Sequence, residues 1–227
     1  MKIKFDDFLN EYAKNDLFFS KEGKRIYQKI VKNIDTIEFT PTDENDFVED
    51  SKGGKRMLYG VRFCLDVIDK KYDADVLLVN TLNIAETPFF DSDSSTFVFF
   101  IISQVNNKES FENNSYMARI RFKSWVDENV FVHEFTHYLD RLRYKSTYKF
   151  KNHETDDEYY NSPVEYNAFY SEIVREIIKN KKKLMGLSFN EFYKKVTKYG
   201  SQSFINSMST VTEKRLKNRL YKLYVEL

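Results

Sequence analysis

The sequence predicts an α+β protein, and three observations carry that prediction. Helical periodicity marks both ends of the chain, strand-like runs rich in Val, Ile and Phe lie between residues 74 and 123, and a capped amphipathic helix over about 126–144 follows them directly. With 227 residues, 41% of them hydrophobic, the chain can bury a substantial core. It divides into an N-terminal helical segment (1–40), a core (55–185) and a C-terminal helical segment (186–227), expected to pack as one compact domain.

Taken in order, Phe5, Phe8, Leu9 and Tyr12 mark a helix over 5–18, and Ile26, Tyr27, Ile30, Val31 and Ile34 a second over 20–37, with Ser20 as the N-cap between them. The acidic segment from Pro41 to Gly54 reads as a mobile loop ending in Gly53-Gly54. Met57, Leu58, Val61, Leu65 and Ile68 predict a helix over 55–71, and a short strand is expected over 74–79. Residues 96–105 read as a strand buried on both faces. Residues 116–123 alternate, which predicts a strand with Arg119, Arg121 and Lys123 on one basic face, reached through a hairpin loop over 106–114. Beyond the central helix, Pro163 opens a helix expected to run to about Met185 and to end in Lys179, Lys181, Lys182 and Lys183, whose charge suits the dipole there. Ser188 with Glu191, and Thr210 with Glu213, read as capping boxes for two further helices separated at Gly200. The last helix, with Leu216, Leu220, Leu223 and Tyr224, is amphipathic and suited to docking on the core or on a partner.

Charge and composition exclude several function classes. Lys and Arg number 36 against 35 Asp and Glu, so the net charge of +1 offers no global attraction to nucleic acid or to a membrane surface. No apolar segment near the start resembles a signal peptide, and the longest apolar run, Phe97 to Ile102, is too short to span a bilayer. A single cysteine, Cys64, forbids an internal disulfide, suits a reducing compartment, and is expected to be buried and inert. These observations predict a cytoplasmic chain whose partners include neither nucleic acid nor membrane.

The chemistry is concentrated in His133-Glu134-Phe135-Thr136-His137, an H-E-x-x-H string. On a helix, residues four apart lie about 40° from one another around the axis, so both imidazoles can reach one metal ion while Glu134 stands beside it as a general base. That donor set suits Zn2+, one per chain, which would activate a water for hydrolysis. Phe131, Val132, Phe135, Leu139 and Leu142 fall on the opposite, core-facing side, and Ser124 with Asp127 reads as the capping box that starts the helix. Asp140 lies on the metal side, placed either to hold a ligating imidazole or to pair with a neighbouring Arg.

A catalytic zinc requires a third protein ligand, and three residues compete for the role. Glu165 stands in the first turn of the helix opened by Ser162-Pro163, where a capping box could equally account for it; Glu172 shares its face two turns on; His153 lies in a polar loop. A phenol or imidazole donor for developing negative charge is available from Tyr159, Tyr160, Tyr166 or His153.

The order of helix, strands and H-E-x-x-H helix resembles that of the zincin metallopeptidases. The resemblance implies a small mixed or antiparallel sheet beside the active-site helix, whose edge strand would take extended substrate by strand addition. The metzincin completion is absent, because Asp140 stands in place of its Gly and Arg143 in place of its last His. The chain is instead similar to the gluzincins, in which a later Glu completes the site. It also resembles small bacteriophage-encoded metallopeptidase-like proteins that pair an H-E-F-x-H-Y-L-D string with a later S-P-x-E-x-N-A string. Here these read His133 to Asp140 and Ser162-Pro163-Val164-Glu165-Tyr166-Asn167-Ala168, a likeness covering about residues 115–180. It implies Glu165 as the third ligand, a peptide or protein substrate, and a host cytoplasm or virion as the place of action. The alternative expectation is a virion or assembly protein that keeps the zincin fold, and binds rather than cleaves.

Overall fold

Two apolar strands, β5 (Asp75–Thr81) and β7 (Thr96–Ile102), run parallel at the centre of a five-stranded sheet among the described residues. The computed structural model describes residues 5–42, 47–49, 55–57, 60–81, 88–92, 94–102, 111–144 and 155–227. By contact density the chain falls into two compact units, Arg25–Glu134 and the combination of Met1–Lys24 with Phe135–Leu227.

In the first unit the sheet order is β1 (Thr40–Pro41), β4 (Gly60–Cys64), β5, β7 and β6 (Phe89–Asp91), with every pairing antiparallel except β5–β7. The register explains the two-sided core. Val76 and Leu78 share a face with their partners Phe97 and Phe99, while Leu77, Val79 and Val98 share the other with Phe89 and Phe100. Phe131, near the start of α3 (Glu128–Tyr144), stacks on Phe97 and Phe99 at centroid distances of 6.0 and 5.7 Å, and its ring also meets Tyr27 of α1 (Phe5–Asn33) at 5.7 Å. The Tyr27 hydroxyl donates to the Val126 carbonyl. The sheet thereby fixes the end of α3 that carries His133 and Glu134.

Several sequence expectations are corrected here. The two N-terminal helices are one, α1, because Ser20 lies inside a run with neither Pro nor a breaking Gly pair; of its side chains 18, 19 and 21–33 are described, so Phe5, Phe8, Leu9 and Tyr12 fall outside them. The helix expected over 55–71 is instead β3 (Lys55–Met57), β4 and a 3-10 turn, Leu65–Val67. Val61, Phe63 and Leu65 fit a period of two as well as Val61, Leu65 and Ile68 fit a helix, and sheet pairing decided between them. Part of the expected loop is β2 (Phe47–Glu49), paired antiparallel with β3; Gly53-Gly54 lies outside the described residues. Cys64 ends β4, partly exposed, with its thiol raised by burial, and its Sγ lies 3.9 Å from Asp73.

The largest correction concerns 116–123, which belong to the helix α2 (Phe111–Trp125) rather than to a strand. Ser115, Ala118 and Phe122 are buried at intervals of three and four, whereas Tyr116 and Ile120 are exposed, so the real period is helical. The basic strand face dissolves accordingly: Arg119 donates to the Ile37 carbonyl and covers the Phe39 ring, and Arg121 lies over Trp125. The hairpin loop expected over 106–114 ends inside α2, with 106–110 outside the described residues.

In the second unit α4 (Asp156–Asn161), α5 (Pro163–Lys179), α6 (Lys181–Leu184), α7 (Phe189–Val196), α8 (Gln202–Asn206) and α9 (Thr210–Val225) enclose a core of Tyr166, Tyr170, Ile173, Phe192, Leu216 and Leu220. The helix expected to reach Met185 breaks at Asn180, and α8 intervenes between the last two expected helices. The Ser188–Glu191 capping box forms as expected, but α9 is capped by Ser209, not Thr210. Leu216, Leu220 and Leu223 are buried, so α9 docks on its own core. No helix among the described residues is long and apolar enough to cross a membrane.

Two measurements test this packing. A Cβ on Gly60 would meet the Leu78 carbonyl oxygen at 2.0 Å, a backbone atom of the paired strand. Gly60→Ala should therefore lower stability by about 3 kcal/mol, seen as a fall in urea midpoint at unchanged slope. Asp69, paired with Arg25 at 2.7 Å and Lys29 at 3.0 Å, has its carboxyl held well below the usual carboxylate range by those two cations. A depressed carboxyl stabilises the fold at neutral pH and loses that contribution as pH falls through the acid range. The Asp69→Asn variant should be less stable by about 1 kcal/mol at pH 7, after discounting for solvent screening, and the gap to wild type should close on acidification.

Candidate metal centre

The start of α3 differs by one detail from expectation. Ser124 belongs to α2 and donates to the Arg121 carbonyl, so Asp127 alone caps α3, its Oδ1 accepting from Asn129 N at 2.6 Å. The first helical bond then runs from Phe131 N to the Asp127 carbonyl. From there the helix is buried on every side through Asp140. Phe131, Val132, Phe135 and Leu139 form the apolar side as expected, but Leu142 is 45% exposed because the buried stretch ends before it.

The polar side of α3 is as dry as its apolar side. His133 is 6% exposed, Glu134 7%, His137 2% and Asp140 2%, and Glu165 of α5 is 2% exposed. His133, His137 and Glu165 each offer one donor atom, and these atoms all lie within 4.8 Å of one another. The group could hold a metal ion.

The geometry between His137 and Glu165 supports that use. His137 Nε2 and Glu165 Oε1 stand 3.5 Å apart. A good N–H···O hydrogen bond is about 2.9 Å long, whereas two ligands about 2.1 Å from a tetrahedral zinc are separated by about 3.4 Å. The donor chemistry agrees, since two imidazoles and one carboxylate form a set that zinc accepts readily.

Glu165 reaches this position through local sequence. Ser162, extended at φ −66° and ψ 145°, caps α5; its hydroxyl accepts from Glu165 N at 3.2 Å, and Pro163 occupies the first turn. The backbone of Glu165 therefore serves the cap while its carboxylate faces His137, so capping and ligation engage different atoms of the residue. The helix N-terminus also favours its negative charge.

The other candidates are placed as follows. Glu172 is partly buried on α5, and it is not part of the His133–His137–Glu165 group. His153 lies outside the described residues. Tyr160 packs edge-on against Tyr159 and against the Phe169 ring, and Tyr166 is fully buried in the α5–α9 core with the Arg215 guanidinium 4.1 Å from its ring centre. Asp140 accepts from Asn167 Nδ2 at 3.0 Å. Burial pushes its carboxyl above the usual range, opposed by the Asn167 amide and by the charges of His137, Arg219 and Arg143. Two further residues, Asn167 and Arg219, belong to this neighbourhood; Asn167 lies within the S-P-V-E-Y-N-A string, but nothing local in the sequence marks Arg219.

The chain matches no protein-family profile, no curated protein and no solved structure.

The two roles of the α5 start can be separated. Ser162→Ala should cost about 1 kcal/mol of stability and leave metal binding intact. Glu165→Ala should abolish tight metal binding, as measured by titration against a chromogenic chelator.

Proposed function

We propose that this protein is a zinc-dependent peptidase of the gluzincin type on a zincin-like fold, similar to small phage-encoded metallopeptidase-like proteins. The observation that carries the reading is the meeting of three buried donors, His133, His137 and Glu165, on two helices, with Glu134 next to the first of them. The choice of a peptide bond as substrate rests on the likeness of the two sequence strings to that group. A closed structural site normally employs four protein ligands; among the described residues this group has three.

When bound, zinc would supply Lewis acidity, polarising the scissile carbonyl and lowering the pKa of an attacking water. The remaining work belongs to the chain. Glu134, buried beside His133, is the general base: its carboxylate takes the proton of the attacking water and returns it to the departing amine. Burial of both faces of α3 fixes the rotamers of His133 and His137 and excludes bulk water from Glu134. Asp140 lies three residues beyond His137 on the same helix face, the side from which a carboxylate can steady a ligating imidazole.

Metal analysis of protein purified without chelators should find about one zinc per chain, lost in His137→Ala. Glu134→Gln should keep its zinc while cleavage of a peptide library, read by mass spectrometry, falls by about 10²- to 10⁴-fold. Wild type without zinc overturns the reading. Zinc-loaded wild type that cleaves nothing in the library favours the binding-protein alternative.

A further inference from the structure

A chain of hydrogen bonds runs from the C-terminal helix to the metal-bearing helix. Arg219 of α9 donates from Nη1 to Asn167 Oδ1 at 3.0 Å, and Asn167 of α5 donates from Nδ2 to Asp140 Oδ2 at 3.0 Å. The direction of this relay is set by chemistry. A guanidinium can only donate, so it fixes the Asn167 amide with its oxygen toward Arg219 and its NH2 toward the carboxylate. Asp140 Oδ2 then receives a donor and serves as the acceptor at the end of the relay. Arg219 itself is held flat, its guanidinium carbon 3.8 Å from the Tyr170 ring centre and 5.2 Å from that of Tyr166. Both rings belong to the core that α5 and α9 share.

Asp140 lies three residues beyond His137 and seven beyond His133, so all three occupy one face of α3. A carboxylate that partners a ligating imidazole sets its orientation and basicity, and loss of such a partner typically weakens metal binding 10- to 100-fold; Asp140 is the carboxylate on this face of α3. What holds the carboxylate is thereby part of the metal site. We propose that Asn167 and Arg219 are positioning residues for the metal centre, and that the hydrogen bond Arg219 donates from α9 contributes to metal affinity through them. The inference rests on the metal-centre reading above and extends it to a helix whose sequence carries no metal ligand.

The test uses the full chain, with zinc as the probe in chelator competition and the visible spectrum of the cobalt-substituted protein as a second readout. Arg219→Ala and Asn167→Ala should each weaken zinc binding by about tenfold and shift the cobalt bands. Arg219→Lys, which can still donate to Asn167 Oδ1, should recover part of both. Leu223→Ala, which loosens the buried side of α9 without touching the relay, should lower the melting temperature yet leave affinity and spectrum unchanged. If Arg219→Ala does not fold, Arg219→Met keeps the stem on the two rings and is read in its place. Arg219 and Asn167 variants with wild-type affinity and spectrum overturn the relay while the metal reading stands. Equal loss of affinity in Leu223→Ala also overturns it, by reducing the effect to general stability. A wild-type chain that binds neither zinc nor cobalt overturns both.

Discussion

Removing His133, Glu134, His137 and Glu165 from water is the constraint that the surrounding structure answers. A buried ion left unpaired costs about several kcal/mol, more than any single contact in this fold returns. The chain meets the cost from several directions at once. Phe131 stacks on Phe97 and Phe99, so the sheet holds the start of α3, and Glu165 lies in the first turn of α5, where the helix dipole favours its charge. A bound cation among these donors would compensate them more completely than any of the protein groups does.

The same constraint explains why α5 is built as it is. Ser162-Pro163 gives an abrupt helix start, and that start places Glu165 at its third position with its backbone capped and its side chain free to turn toward α3. From the next residue on, Tyr166, Tyr170 and Ile173 enter the helical core, which anchors the helix that carries Glu165. Asn167, between ligand and core, links the two functions through Asp140 and Arg219.

The parts of the site legible in sequence were those written within one helix. His133, His137 and Asp140 share a face because of their spacing alone, with Glu134 at its edge, and burial of Phe131, Val132, Phe135 and Leu139 followed from the same periodicity. The misread elements were short segments whose apolar residues fit two periods. Val61 and Phe63 formed a strand where a helix was expected, and Ala118 and Phe122 formed a helical stripe where a strand was expected. Pairing of β4 with β5 and burial of α2 against the sheet decided those cases, and neither is encoded locally.

Spacing along the chain is enough to put two imidazoles and a carboxylate on one helix face, and Ser162-Pro163 is enough to open a helix with Glu165 in its first turn. Both follow from backbone geometry acting over a few residues. That Glu165, and not Glu172, stands with the two histidines depends on packing between residues far apart in sequence, which no local pattern encodes. Such packing also brought Arg219 to Asn167 across 52 positions of chain, a contact made by the docking of α9 on an aromatic core rather than by any local pattern.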